Sequence, residues 1–187
     1  MTTTTATDLS ALTGTYTIDP SHTQVGFVAR HAMVTKVRGA FNDFAGTAVF
    51  DAADPAATTV AVTIQAASID TRNAQRDDHL RSNDFLAMAE HPELTFVSTG
   101  FRQTGEDSFD LTGDLTVRGV TNSITVPFTY QGTATDPFGN LRVGFEGSVT
   151  INRKDYGVSW NAALETGGFL VSDKVVLEFD VSAIKTG

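Results

Sequence analysis

The chain has 187 residues, enough for one domain, and its 41% apolar and 19% charged residues allow it to bury a core. Thirteen basic side chains against 22 acidic ones leave a net charge of −9, which argues against a phosphate backbone, so no nucleic-acid partner is expected. The absence of cysteine excludes disulfides, thiolate metal sites and cysteine nucleophiles.

The opening residues, Met1 to Leu12, carry no Lys or Arg and no long apolar run, so they do not read as a secretory signal. No segment approaches the roughly eighteen apolar residues of a membrane span. The expectation is a cytoplasmic protein, with a flexible tail over residues 1–14 and a single domain over 15–185.

The residue choice favours strands: Thr occurs 28 times, Val 18 and Phe 13, and β-branched and aromatic side chains suit a pleated surface. In chain order, strands are predicted over 15–32 (bent at Asp19-Pro20), 36–51 and 58–69. Asn73 to Leu86 reads as the one helix, with Arg72/Arg76 and Asp77/Arg81 at i,i+4. A strand over 93–102 follows. Then come the cleanest period-two alternations, on Phe109, Leu111, Leu115 and Val117, on Ile124, Val126, Phe128 and Tyr130, and on Leu141, Val143, Phe145, Val149 and Ile151. Lys154 to Asp173 breaks the pattern as a long loop or extra short strand, and Val175, Leu177, Phe179 and Val181 mark the last strand. Turn signals such as Thr104-Gly105-Glu106 and Asp136-Pro137-Phe138-Gly139 separate the strands. The sum is an all-β fold, an eight-stranded antiparallel β-barrel with a short helical segment near 73–86.

An eight-stranded barrel is either filled by its own side chains or wide enough for one small ligand. Ala29, Gly39, Gly113 and Gly147 stand among Phe27, Phe41, Leu111 and Phe145 on the apolar faces. Those small residues fit large-and-small packing of a taper or an elongated apolar tunnel, and composition leaves both open.

Catalytic signatures are missing: there is no GxSxG, HExxH, P-loop or GxGxxG after a strand. His22, His31, Asp77 and His79 are the only combination that suggests acid, base or metal-ligand chemistry, and no spacing requires it, so neither an enzyme nor a metal is expected. The charge cluster from Arg72 to Arg81 reads either as a solvated helix face or as a polar gate. In a gate, Arg76 or His79 would meet a phosphate, carboxylate or hydroxyl head group.

Several motifs in order resemble the YceI-like family. They begin with Tyr16-Thr17-Ile18-Asp19-Pro20-Ser21-His22, Val25-x-Phe27, Gly39-x-Phe41 and Ser68-Ile69-Asp70-Thr71. They continue through Arg76-Asp77-x-His79-Leu80-x-Ser82-x-Asp84-Phe85, His91-Pro92-x-x-Thr95-Phe96-x-Ser98, Gly113-Asp114-Leu115-Thr116-Val117 and Arg153-x-Asp155-Tyr156-Gly157. The resemblance spans residues 16 to 181, with Tyr156 where Phe is common.

What the resemblance implies is an extended, lipocalin-like barrel that holds a long apolar ligand. That ligand would be a polyisoprenoid, an isoprenoid quinone or precursor, or a fatty-acid-like amphiphile. Many members carry a signal peptide, which this chain does not show, and members often form homodimers. On this reading Phe27, Leu111, Leu115, Phe128, Val143, Phe145 and Phe179 face the ligand. Trp160 covers the far mouth or a dimer contact, and His22, His31, Arg76, Asp77 and His79 form the head-group gate. Arg153 and Asp155 are expected to pair at a turn. The expected function is non-enzymatic lipid binding or transport with no cofactor beyond the lipid. A metal- or His/Asp-dependent barrel enzyme and a ligand-free interaction module are the alternatives.

Overall fold

A computed structural model describes residues 9–187. The predicted tail lies for the most part outside the described residues, but its last residues are structured. Ser10–Leu12 form a 3-10 turn with Leu12 buried, and strand β1 (Gly14–Ile18) follows at once.

The remaining strands are β2 (Gln24–His31), β3 (Thr35–Phe41), β4 (Phe44–Phe50), β5 (Thr59–Gln65), β6 (Ile69–Asp70), β7 (Glu93–Gln103), β8 (Ser108–Val117), β9 (Val120–Thr135), β10 (Leu141–Asn152) and β11 (Lys174–Lys185). Eleven segments make eight staves, because β1/β2, β3/β4 and β5/β6 are each one strand broken by a short bend. The first break falls at the expected Asp19-Pro20, where a 3-10 turn starts with proline and Asp19 accepts from the Ser21 amide. Every pairing is antiparallel. The order runs β1–β4–β5–β7–β8–β9–β10–β11, and β11 closes the barrel by pairing β1 with its end and β2 with its beginning. Among the described residues no helix is long and apolar enough to cross a membrane.

Alternation fixes the interior. Along β8, Phe109, Leu111, Leu115 and Val117 are buried while their neighbours are not, as a period-two strand requires. Inside, aromatic rings lie over the strand glycines. A Cβ on Gly39 would strike Phe27, one on Gly113 would strike Phe96, and one on Gly147 would strike Phe128. Those three glycines therefore serve ring packing and do not hollow the barrel.

The two ends differ. At one, helix α1 (Ala74–Arg81) and the 153–173 segment cap a packed cluster of Phe85, Leu86, Leu94, Leu115, Val117, Tyr156 and Val158. The helix is shorter than the predicted 73–86, because Ser82, in an extended conformation, donates its amide and hydroxyl to the His79 carbonyl and ends it, and 82–91 continues as turns. At the other end, a smaller cluster of Leu12, Tyr16, Val143 and Ala183 lies beneath the opening turn. One seam is visible in the wall: β9 and β10 pair from Leu141↔Thr135 to Gly147↔Phe128, and the ladder stops beside Pro127, which has no N–H to donate.

Candidate functional site

Between the two clusters lies an elongated cavity of about 210 Å³. Its wall is built from the inward positions of nearly every stave: Val25 on β2, Val60, Val62 and Ile64 on β5, Phe96 and Phe101 on β7, Phe109 and Leu111 on β8, and Val126 and Phe128 on β9. Val143 and Phe145 on β10, Leu177, Phe179 and Val181 on β11, and Phe44, Ala48 and Phe50 on β4 add to it, with Leu9 and Leu12 at the rim. Among the described residues no charged side chain lines it.

Phenylalanines dominate one wall. Phe109 stacks on Phe101 with centroids 5.2 Å apart, Phe145 stands edge-on to Phe128 at 6.5 Å, and Phe128 is 6.0 Å from Phe179. Such a surface offers area and polarisability without hydrogen-bond direction, so it selects for shape and apolar surface.

Six of the seven expected ligand-facing residues line the cavity: Leu111, Leu115, Phe128, Val143, Phe145 and Phe179. Phe27 does not. It faces inward on β2, but its ring covers Gly39 and lies 5.8 Å from Phe41, against the packed cluster. Trp160 is likewise off the cavity, packed over His79 at 4.7 Å and Phe85 at 5.3 Å on the capped end.

The expected gate residues are not brought to the cavity either. Asp77 is buried and accepts from the Thr71 amide and hydroxyl, at 2.9 and 2.6 Å. Arg76 donates from Nε to the Thr71 hydroxyl and from Nη2 to the Thr71 carbonyl. His79 Nε2 lies 2.8 Å from Asp84 Oδ2. His22 is exposed and held by Asp19, and His31 ends β2 in a bridge to Val171. The reason is topological: the helix sits on the filled end, so its polar groups fasten a lid and never see the hollow. Among the described residues no group of three or more His, Asp or Glu side chains could hold a metal ion.

Arginines do that fastening. Arg81 donates to the carbonyls of Ala67 and Ile69, and Arg118 to those of Asn83 and Phe85. Arg153 donates to Val158, Trp160 and Ser172 carbonyls, in place of the expected pairing with Asp155. Burial pulls the Arg153 pKa down, partly offset by Asp173. Sequence reading missed Arg118 because its partners are backbone oxygens thirty-odd residues away, which leave no side-chain pattern.

A second cluster joins two turns on the outside. Arg142 reaches Asp19 at 2.7 Å and Asp136 at 2.8 Å. The guanidinium, together with Ser21 and His22, holds the Asp19 carboxyl well below the usual carboxylate range. Asp136 is lowered to about 2, chiefly by Arg142 and then by the Asn140 amide.

A family model described as the YceI-like domain matches residues 16–183. A UPF0312 protein of Azotobacter vinelandii is 43% identical over 150 residues, covering 79% of this chain and 78% of that protein. One of Ectopseudomonas mendocina is 42% identical over 151 residues, covering 80% and 79%. Among solved structures, Burkholderia cenocepacia BcnA superposes with a TM-score of 0.77 at 27% identity, covering 88% of this chain and 98% of that one. The Campylobacter jejuni YCEI protein superposes with a TM-score of 0.72 at 28% identity, covering 84% and 90%. A polyisoprenoid binding domain from Saccharophagus degradans, 14% identical, shares the fold with a TM-score of 0.68 over 91% of this chain and 98% of that one.

Proposed function

Because this chain belongs to the YceI-like family, we propose that it is a non-enzymatic carrier that sequesters a long apolar lipid in the barrel. The lipid is a polyisoprenoid, an isoprenoid quinone or its precursor, or a fatty-acid-like amphiphile. The likeness to the Saccharophagus degradans domain carries the fold alone. What supports the ligand reading is the apolar cavity inside the barrel, which no charged side chain of the described residues lines.

The energetics fit a greasy chain. Each Å² of apolar surface taken from water contributes roughly 25 cal/mol, so a methyl-studded chain binds tightly without hydrogen bonds and with little discrimination along its length. At about 210 Å³ the cavity is below the roughly 300–1,000 Å³ of pockets for drug-sized ligands. A long chain therefore enters as phenylalanines such as Phe128, Phe145 and Phe179 turn aside, and the barrel closes around what it holds.

Native mass spectrometry of freshly purified protein, followed by organic extraction, tests this reading. The expected result is a stoichiometric isoprenoid or acyl species released on denaturation. Protein that carries no lipid and takes up no added prenyl compound would overturn it.

A further inference from the structure

We propose that Thr58 is the head-group contact of the cavity, and that it selects lipids ending in an uncharged oxygen, a hydroxyl or carbonyl, over those ending in phosphate or carboxylate. The proposal rests on the carrier reading and adds to it the chemistry of the polar end.

Among the described residues three polar side chains line the cavity, and two are already occupied. The Tyr16 hydroxyl donates to the Leu12 carbonyl at 2.7 Å. Thr23 Oγ1 donates to the Ser182 carbonyl at 3.2 Å and accepts from the Ser182 amide at 3.0 Å. Thr58 is different. Its amide donates to the Pro55 carbonyl, but its hydroxyl is buried with no hydrogen-bond partner among the described residues, in a residue only 7% exposed. Buried hydroxyls are nearly always bonded in native proteins, so one left without a partner on the wall of a cavity calls for a partner from the cavity. The hydroxyl is covered as it stands, so meeting a ligand requires it to turn inward by a change of χ1 between staggered wells.

Its position sets the ligand's direction. Thr58 immediately precedes β5 at the rim shared with Leu9, Leu12 and Phe50, and Val60, Val62 and Ile64 run from it along the wall towards the capped end. A lipid bonded to Thr58 lies with its head at this rim and its tail towards Leu115.

Charge decides the head group. Among the described residues no Lys, Arg or His lines the cavity, and an anion buried without a counter-charge is far less favourable than a neutral oxygen that finds one hydrogen bond. A lone threonine hydroxyl satisfies an alcohol or a carbonyl and cannot neutralise a phosphate.

Calorimetric titration of the delipidated full chain with geranylgeraniol, geranylgeranyl phosphate and squalene tests this. The alcohol and the phosphate share a tail and differ only at the head, and squalene has no head. The expected order places geranylgeraniol above its phosphate. Thr58→Val weakens geranylgeraniol about fivefold, the loss of one hydrogen bond, and leaves squalene unchanged, while Thr58→Ser retains the alcohol's affinity. Thr58→Val without ligand melts no lower than the parent, because it removes an unsatisfied hydroxyl. Tighter binding of the phosphate, or equal binding of the alcohol by Thr58→Val, overturns the Thr58 assignment while leaving the carrier intact. Failure of all three lipids to bind overturns the carrier reading itself.

Discussion

The two ends of this barrel are built from the same alternating apolar strands, yet one is filled by a large cluster and the other carries a small cluster beside a cavity. At the capped end, the helix and the 153–173 segment add Phe85, Leu86, Tyr156 and Val158 from outside the sheet, and arginines pin their backbones in place. Towards the far rim the opening turn adds only Leu9 and Leu12, and the cavity remains between the strands. The contrast teaches that the staves alone do not fill this barrel. What occupies the interior depends on what the connections deliver.

Truncation separates the ends most sharply. Phe85→Ala removes a fully packed ring and is expected to cost about 3–5 kcal/mol, read as a lowered denaturant midpoint. Phe128→Ala borders existing space and is expected to cost less than half as much. Equal losses would mean that the cavity is packed as tightly as the cap.

Phe145→Glu places a carboxylate in the apolar wall. Lipid retention by native mass spectrometry should vanish while the circular dichroism of the sheet persists; retention by a folded variant would remove Phe145 from the ligand's path.

Arg142→Gln tests the outer clasp through pH. The carboxyls of Asp19 and Asp136 are depressed in the folded state. Their contribution is therefore present above the unfolded carboxylate pKa, near 4, and is lost as pH falls from there through about 2 for Asp136 and lower still for Asp19. The variant should lose stability at neutral pH and show a flatter decline between pH 4 and pH 2 in thermal melts. An unchanged acid slope would place the sensitivity elsewhere.

The smallest effect belongs to His79→Ala, which removes the contact with Asp84 and the edge-on packing with Trp160 and Phe85. About 1 kcal/mol of stability should go, with prenyl-lipid affinity unaltered. A large loss of affinity would restore the helix as a gate.

Much of the barrel is legible in the chain. The alternations on β8, β10 and β11, the bend at Asp19-Pro20 and the single helix all follow from local periodicity and turn chemistry, which depend on neighbours two to four residues apart. Six of the seven apolar residues that the alternation pointed to lie on the cavity wall, because inward-facing and apolar coincide in a closed sheet.

Tertiary structure alone decided which part of that interior is filled. Phe27 and Phe145 have the same local pattern, but one packs over a glycine beneath the cap and the other faces the cavity. Arg76 and His79 have the composition of a binding motif and became fasteners of a lid, because the chain delivers α1 to the end that its own hydrophobic loop residues close. Thr58 carries no signal in the sequence at all. A threonine before a strand is ordinary, and only the walls around it leave its hydroxyl without a partner among the described residues. Periodicity is a property of one strand, whereas void, plug and unmet hydrogen bond are properties of residues far apart in the chain that meet only on folding.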